Sequence, residues 1–190
     1  MMDSLLKKIR QCTLCEKHLP FDPKPILSFS KNSKILICGQ APGTKAHDSS
    51  TPWNDASGER LRHWLGVTKE EFYNDSLFAI VPMGFCYPGK GKSGDLPPRP
   101  ECAEKWMATV LDRLSNVKLT ILIGAYSQGH FLKTASGDLT DTVKRWKQYS
   151  PHQFPLPHPS PRNNIWLKKN PWFEKDLVPK LRREVRRVLK

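Results

Sequence analysis

Three short apolar runs stand out in the pattern of hydrophobic and polar positions along the chain. Each holds four or five residues, mostly Ile, Leu and Val, between polar, glycine or proline residues. Runs of this length and composition predict buried strands of a parallel sheet. The predicted strands cover residues 35–38, 77–81 and 119–123.

Stretches with apolar residues at helical spacing alternate with these runs. The predicted helices cover a segment capped by Ser4 that ends near Cys12, and residues 57–65, 101–114 and 181–189. Alternation of strands and helices predicts an α/β fold, an open parallel sheet with helices on both faces.

Two proline-containing segments connect the predicted elements. Residues 21–30 predict a linker that lies against the core. The loop from Pro88 to Pro100 is long for a compact domain, which indicates a functional or mobile segment. Open parallel sheets bind ligands beyond the carboxyl ends of their strands, and residues 39–43 and 82–88 fall there.

The length and charge of the chain indicate how many domains it forms and what kind of partner it binds. A chain of 190 residues suits one α/β domain, so we expect a single domain over 1–190. Lys and Arg number 31 against 18 Asp and Glu, a net charge of +13. Such an excess favours a polyanionic partner such as DNA, and the alternative is a basic surface without a ligand.

No apolar run approaches the roughly 20 residues that span a bilayer. The first ten residues also lack the apolar core of a secretory signal. We therefore expect the reducing cytoplasm and no association with a membrane. We also expect a monomer that associates with the nucleoid. Five cysteines in such a compartment favour metal binding or packing over disulfides.

Four of the cysteines form a candidate metal set. Cys12 and Cys15 are separated by two residues, and Cys86 and Cys102 by fifteen. Four thiolates can hold either a [4Fe–4S] cluster or a structural zinc ion. Cys38 lies within a predicted strand and is predicted to be core.

Two loops carry the candidate chemistry. The first, Gly39–Gly43, follows a predicted strand and presents tight backbone with its N–H groups. The second, His158–Asn163, places one histidine on a proline-stiffened arm followed by a cation. The pair suits a pocket that holds an everted base, with His158 facing developing negative charge.

These loops, the cysteine spacing and the segment Pro52–Gly58 closely resemble the uracil-DNA glycosylase superfamily, especially its iron–sulfur families 4 and 5. The resemblance implies a three-layer α/β/α sandwich with a mostly parallel sheet of four strands. It also implies a monofunctional hydrolase that releases uracil, or another deaminated base, from single- or double-stranded DNA and initiates base excision repair. It favours the [4Fe–4S] cluster over zinc at the four cysteines.

The resemblance also implies roles for individual residues. His158 would donate to the departing base and Asp55 would position water, although helix capping is an alternative role for Asp55. Asp48 is a second candidate carboxylate, and His47 could also reach the site. The predicted substrate-binding residues are Gly39, Gln40, Ala41, Trp53 and Met83. The predicted DNA-binding residues are Ser160, Pro161, Arg162 and Asn163.

The chain departs from families 4 and 5 at two positions. Pro82 stands where those families carry an asparagine that pairs with uracil, and Phe85 replaces a common lysine. Main-chain groups or Met83 would have to read the base, and its identity could extend to hypoxanthine or xanthine. The missing asparagine supports an alternative, a non-catalytic nucleic-acid-binding module with a structural cluster or zinc. A third hypothesis is a pocket histidine that captures the sugar cation covalently.

Overall fold

In this computed structural model, the described residues are 2–92, 94–132 and 137–190. Within them, four strands form one sheet in the order β2-β1-β3-β4. The strands are β1 (Ile35–Cys38), β2 (Phe78–Ile80), β3 (Leu119–Ile123) and β4 (Gln153–Leu156). Every pairing between them is parallel, and Ile37 of β1 stands between Ile80 and Ile121. The predicted α/β class and four-stranded sheet are confirmed.

Helices cover both faces of the sheet. In chain order they are α1 (Met2–Arg10), α2 (Thr44–Ser49), α3 (Ala56–Leu65), α4 (Lys69–Tyr73), α5 (Pro100–Leu111), α6 (Ala125–Phe131), α7 (Leu139–Lys144), α8 (Asn164–Lys169) and α9 (Val178–Leu189). Short 3₁₀ turns cover Glu16–His18, Trp146–Gln148 and Pro161–Asn163, and a π-helical turn covers Phe173–Leu177.

Successive strand residues point to opposite faces, so each strand supplies two cores. Ile35 and Ile37 of β1 pack on one face with α3, α4 and α9. Leu36 and Cys38 pack on the other face with α1 and α5. The result is the predicted three-layer sandwich, and Cys38 is a core residue as predicted. That residues 1–190 form a single domain stays a prediction.

The structure corrects two helix boundaries and adds one strand. Ser4 lies inside α1 and does not cap it. Helix α5 ends at Leu111, because the chain continues to Leu114 in tighter turns with bonds such as Leu114 N–H to the Leu111 carbonyl. Strand β4 was not located in the sequence because Pro155 interrupts its pattern. A proline is tolerated here since β4 is an edge strand.

The proline-containing linker lies against the core, as predicted. Ile26, Leu27 and Phe29 are buried, and Ser28 forms an antiparallel bridge to Ile80. The linker therefore covers the free edge of β2 with main-chain hydrogen bonds. In the part of the chain that the structure describes, every helix is too short or too polar to cross a membrane.

Candidate active site

A cavity of about 510 Å³ opens at the carboxyl-terminal edge of the sheet. Its walls come from the segments after β1, β2 and β4 and from the start of α3. The edge includes the point between β1 and β3 where the strand order changes direction, the usual ligand position in open α/β sheets. The sequence-predicted residues that line it are Gly39, Gln40, Ala41, Trp53, Asp55, His158, Ser160, Pro161, Arg162 and Asn163.

His158 is held in one orientation by its own loop. The residue follows the end of β4 by two positions, so the edge strand delivers it to the cavity. The Ser160 N–H donates to Nδ1 of His158 over 3.2 Å, and the Asn163 amide donates to the His158 carbonyl over 2.7 Å. Because Nδ1 accepts a hydrogen bond, the neutral ring carries its proton on Nε2.

The surroundings of His158 favour that neutral ring. Burial lowers the pKa of His158 below its ordinary value of 6.5, although the nearby carboxylates of Asp55 and Asp95 act in the opposite direction. At neutral pH the imidazole is therefore an uncharged donor through Nε2. An uncharged donor in a low-dielectric site can stabilise an anion that forms beside it.

Trp53 forms the neighbouring wall of the cavity. Its ring centroid lies 5.5 Å from that of His158, with the planes inclined by 34°. Its backbone has φ of 57°, a left-handed conformation that is costly for a bulky side chain. A Cβ at Gly58 would lie 1.7 Å from the Trp53 carbonyl oxygen, and one at Gly39 would lie 2.9 Å from its indole. Both glycines are therefore needed for the position of Trp53.

Asp55 caps a helix and also lines the cavity. One carboxylate oxygen accepts a 2.9 Å bond from the Gly58 N–H and caps α3. The same side chain lines the cavity close enough to influence His158. The cap fixes the carboxylate in place, since a side chain bonded to a helix terminus loses its freedom to rotate.

A second carboxylate, Asp95, was not predicted. It lines the cavity and influences His158 electrostatically, and a Cβ at Gly43 would lie 3.2 Å from its Oδ2. Asp95 comes from the long loop between Pro88 and Pro100. In the sequence, the length of this loop was the feature that indicated a functional segment. The loop folds back on itself through a bridge between Lys90 and Asp95. Lys45 also lines the cavity and was not predicted.

The long loop is bonded to the loop Gly39–Gly43 and lies beside the loop His158–Asn163. The Gln40 amide donates to the Leu96 carbonyl over 3.1 Å, so this predicted base-reading group is engaged within the protein through its N–H₂. Across the mouth, Nη1 of Arg162 would lie 2.8 Å from a Cβ at Gly94. Arg162 therefore lies along the rim of the cavity beside Gly94.

The prediction that Met83 binds the base is not supported. Met83 is buried in the core around α1 and α5 and is not among the cavity-lining residues. Its N–H donates to the Gly39 carbonyl and the Gly84 N–H to the Gln40 carbonyl, both over 2.9 Å. These main-chain groups are therefore also unavailable to a base, and Pro82 is the residue of this segment that lines the cavity.

The histidine loop is braced by a residue that the sequence analysis missed. Arg60 of α3 donates to the Ser160 carbonyl over 3.1 Å and to Oδ1 of Asn164 over 2.8 Å. Oγ of Ser160 accepts from the Arg162 N–H, which starts the following 3₁₀ turn. His47 and Asp48, the weaker candidates, lie on α2 outside the set of residues that line the cavity.

All four predicted cysteine ligands line a second, much smaller cavity of about 20 Å³. Burial raises the pKa of Cys86 to about 11 and that of Cys102 to about 12, so a metal would have to displace thiol protons. No group of three or more His, Cys, Asp or Glu among the described residues is spaced to hold a single metal ion. A tetrahedral zinc would need sulfur atoms about 4 Å apart.

Each sulfur of the set faces a hydrogen-bond donor. Nε1–H of Trp106 donates to Cys12 and the Phe85 N–H to Cys102, both over 3.3 Å. The Arg99 side chain donates to Cys15, and the Lys24 N–H donates to Cys86. Donors aimed at four clustered sulfurs favour anionic thiolates. The donor set therefore suits thiolate ligands, of an iron–sulfur cluster or of a zinc ion.

Two arginines of the basic C-terminal helix α9 contact α3, α4 and the turn between them. Arg182 donates to the His63 carbonyl over 2.7 Å, and Arg186 contacts the Gly66 carbonyl and pairs with Glu71. Cations at the carboxyl end of α3 offset its dipole and its unpaired carbonyls. These two arginines hold α9 to the helix that carries the active-site residues.

Two comparisons with known proteins bear on this geometry. A family model described as the uracil DNA glycosylase superfamily matches residues 28–182. A solution NMR structure of a candidate uracil DNA glycosylase from Methanosarcina acetivorans is similar at 13% sequence identity. That match covers 82% of this chain and 93% of the archaeal chain, with a TM-score of 0.48.

Proposed function

Because this chain belongs to the uracil DNA glycosylase superfamily, we propose that it hydrolyses the N-glycosidic bond of a deaminated base in DNA, with uracil as the first candidate. Membership supports a glycosylase-type activity, and the base and its mode of entry are part of the proposal. The observation that carries it is the bond from the Ser160 N–H to Nδ1 of buried His158, which leaves Nε2 to donate into a cavity that also holds two carboxylates.

Substrate entry requires the nucleotide to leave the helix. The glycosidic bond is buried within a duplex, and flipping a nucleotide costs a few kcal/mol. A volume of about 510 Å³ lies within the usual range of small-molecule sites, about 300–1,000 Å³. Trp53 forms an aromatic wall next to His158, against which a base can stack.

Bond cleavage separates charge between sugar and base. As the bond from C1′ to the base nitrogen breaks, its electron pair leaves with uracil and the sugar becomes an oxocarbenium ion. Nε2–H of His158 donates to the base oxygen on which negative charge develops. Because this charge grows towards the transition state, the hydrogen bond strengthens there and lowers the barrier.

Water completes the reaction at C1′. A carboxylate accepts a proton from the water as its oxygen bonds to the cation, and an abasic site results. The capped side chain of Asp55 is our candidate for this role. A fixed carboxylate also stabilises the sugar cation before water arrives. The anionic base then takes a proton from solvent.

Base selectivity in this chain rests on fewer groups than in families 4 and 5. Pro82 has neither a side-chain amide nor an N–H, and the N–H groups of Met83 and Gly84 are engaged with the first loop. We propose that hypoxanthine and xanthine are also accepted. DNA is the proposed partner, contacted at the cavity mouth by Ser160, Pro161, Arg162 and Asn163.

We further propose that Cys12, Cys15, Cys86 and Cys102 hold a [4Fe–4S] cluster. Its contribution would be structural, since it would tie the segment after α1 to the segment after β2 and to the start of α5. Cysteines that stay free of disulfides are available as ligands in the reducing cytoplasm, where the protein would meet nucleoid DNA.

Oligonucleotides test the activity directly. Single-stranded and duplex substrates with uracil, hypoxanthine, xanthine or a thymine mismatch are incubated with the protein and treated with alkali. Strand cleavage at the modified position is expected for uracil. Pro82 also supports a second function, a non-catalytic DNA-binding module, and intact strands across the whole panel would favour it. A protein–DNA band that survives denaturation would indicate covalent capture instead.

A further inference from the structure

An exposed aromatic ring lies outside the proposed active site. Phe21 is 54% exposed, although most aromatic side chains of its size are largely buried. Its ring is stacked on His47 with centroids 5.1 Å apart and planes inclined by 26°. It is also stacked on Tyr87, 6.2 Å away and inclined by 22°. Three rings thus form one cluster with Phe21 as its outer member, which we call the Phe21 platform.

Buried contacts and one hydrogen bond hold the rings of the platform in place. Tyr87 is buried, and its ring centroid lies 6.0 Å from that of His47. Nζ of Lys24 donates to the His47 carbonyl over 2.5 Å, which joins the linker to α2. An aromatic ring held in this way loses little freedom when a ligand stacks on it, so its exposed surface is preorganised.

The platform borders both of the sites described above. Ala46, next to His47, lines the large cavity, as does Ile26 of the linker. Pro23 and Pro25, next to Lys24, line the cysteine cavity. The linker and α2, which carry Phe21 and His47, therefore also contribute to the walls of the two cavities.

We propose that the Phe21 platform stacks an unpaired nucleobase next to the nucleotide in the active site. Aromatic side chains bind single strands in this way because every base offers a π-face. In a duplex both faces of each base are covered by its neighbours, so the platform would favour single-stranded DNA. Asp22 and Asp48 follow Phe21 and His47 in the chain and are exposed, and their negative charge favours contact with bases over contact with phosphates.

The proposal rests on the proposed function only in taking DNA as the ligand, so binding tests it without any chemistry. Affinity is measured for an unmodified thymine oligonucleotide and for a duplex closed by a hairpin at both ends. Phe21→Ala should raise the single-strand Kd about 5- to 100-fold and leave the closed-duplex Kd unchanged. Phe21→Trp should restore binding, with indole fluorescence quenched by the single strand.

Tyr126→Ala is the matched control, because Tyr126 is 45% exposed and has no ring partner among the described aromatic contacts. It should bind both ligands as the wild type does. Equal single-strand affinity of Phe21→Ala and wild type would overturn the proposal and leave a protein partner as the occupant of the platform. Equal losses on both ligands would overturn it too, because they would indicate a general effect on DNA contact. Absence of base release by the wild type would sink the proposed function alone.

Discussion

The N–H of Ser160 and Nδ1 of His158 are 3.2 Å apart, and this single hydrogen bond decides which ring nitrogen carries the proton. With Nδ1 occupied as an acceptor, Nε2–H is left as the donor of the neutral ring. Burial keeps the ring neutral by lowering its pKa. The proposed chemistry depends on this pair.

Replacing the imidazole should remove most of the catalysis. We expect His158→Ala to lower the single-turnover rate on uracil-containing DNA about 10²- to 10³-fold, the usual effect of losing one transition-state donor. DNA affinity should stay within a few fold, because the interaction strengthens only in the transition state. A rate equal to wild type would contradict the assigned role.

The acid side of the pH profile should report His158. Its pKa is lowered by burial, so the neutral donor persists below pH 6.5 and activity should decline only at lower pH. Below pH 6.5 this histidine binds a proton in the unfolded chain but not yet in the folded protein. The free energy of unfolding should therefore decrease as the pH is lowered below 6.5. An NMR titration of the imidazole with a midpoint above 6.5 would rule this out.

The two carboxylates can be separated by amide substitutions. Asparagine caps helices about as well as aspartate does, so Asp55→Asn should keep the stability of α3. If Asp55 positions water, the rate of base release by the Asp55→Asn variant should fall about 10²- to 10⁴-fold. Asp95→Asn is the matched comparison, since Asp95 also faces His158, and we expect a smaller loss. A reversed order of effects would transfer the role to Asp95.

Gly58→Ala should destabilise the protein. The new Cβ would lie 1.7 Å from the Trp53 carbonyl oxygen, which is backbone and cannot move without disturbing the cavity wall. We expect a loss of about 1–3 kcal/mol in urea unfolding, together with lower activity. Gly129→Ala in α6 is the control, because its Cβ meets nothing within 4 Å. It should be neutral or gain up to about 1 kcal/mol, and equal behaviour of both variants would disprove the clash.

Metal content tests the cysteine set. Protein purified without oxygen should be brown and carry about four iron atoms per chain. Cys102→Ser should lose the colour, whereas Cys38→Ala should retain it, because Cys38 lies in the core away from the cavity lining. Colourless protein with one equivalent of zinc would reverse the assignment.

The sequence determined the elements that local pattern encodes. The apolar runs gave β1, β2 and β3, and helical spacing located α3 and α9. The loop His158–Asn163 contained the histidine and the segment Pro52–Gly58 contained Asp55, and both residues line one cavity. These features were readable because strand burial and helix periodicity leave a repeating trace in consecutive residues. Strand β4 was not located, because an edge strand tolerates a proline and this proline interrupts the apolar pattern.

Only the tertiary structure decided which distant residues meet. It brought Asp95 to His158, placed Arg60 under the histidine loop, and moved Met83 from the expected base site into the core. It also assembled Phe21, His47 and Tyr87 into one cluster. No local pattern encodes such contacts, because they depend on how loops of irregular backbone cross at one edge of the sheet. The sequence sets which side chains are present. The packing of those loops at one edge of the sheet determines which of these side chains lie close enough to act together.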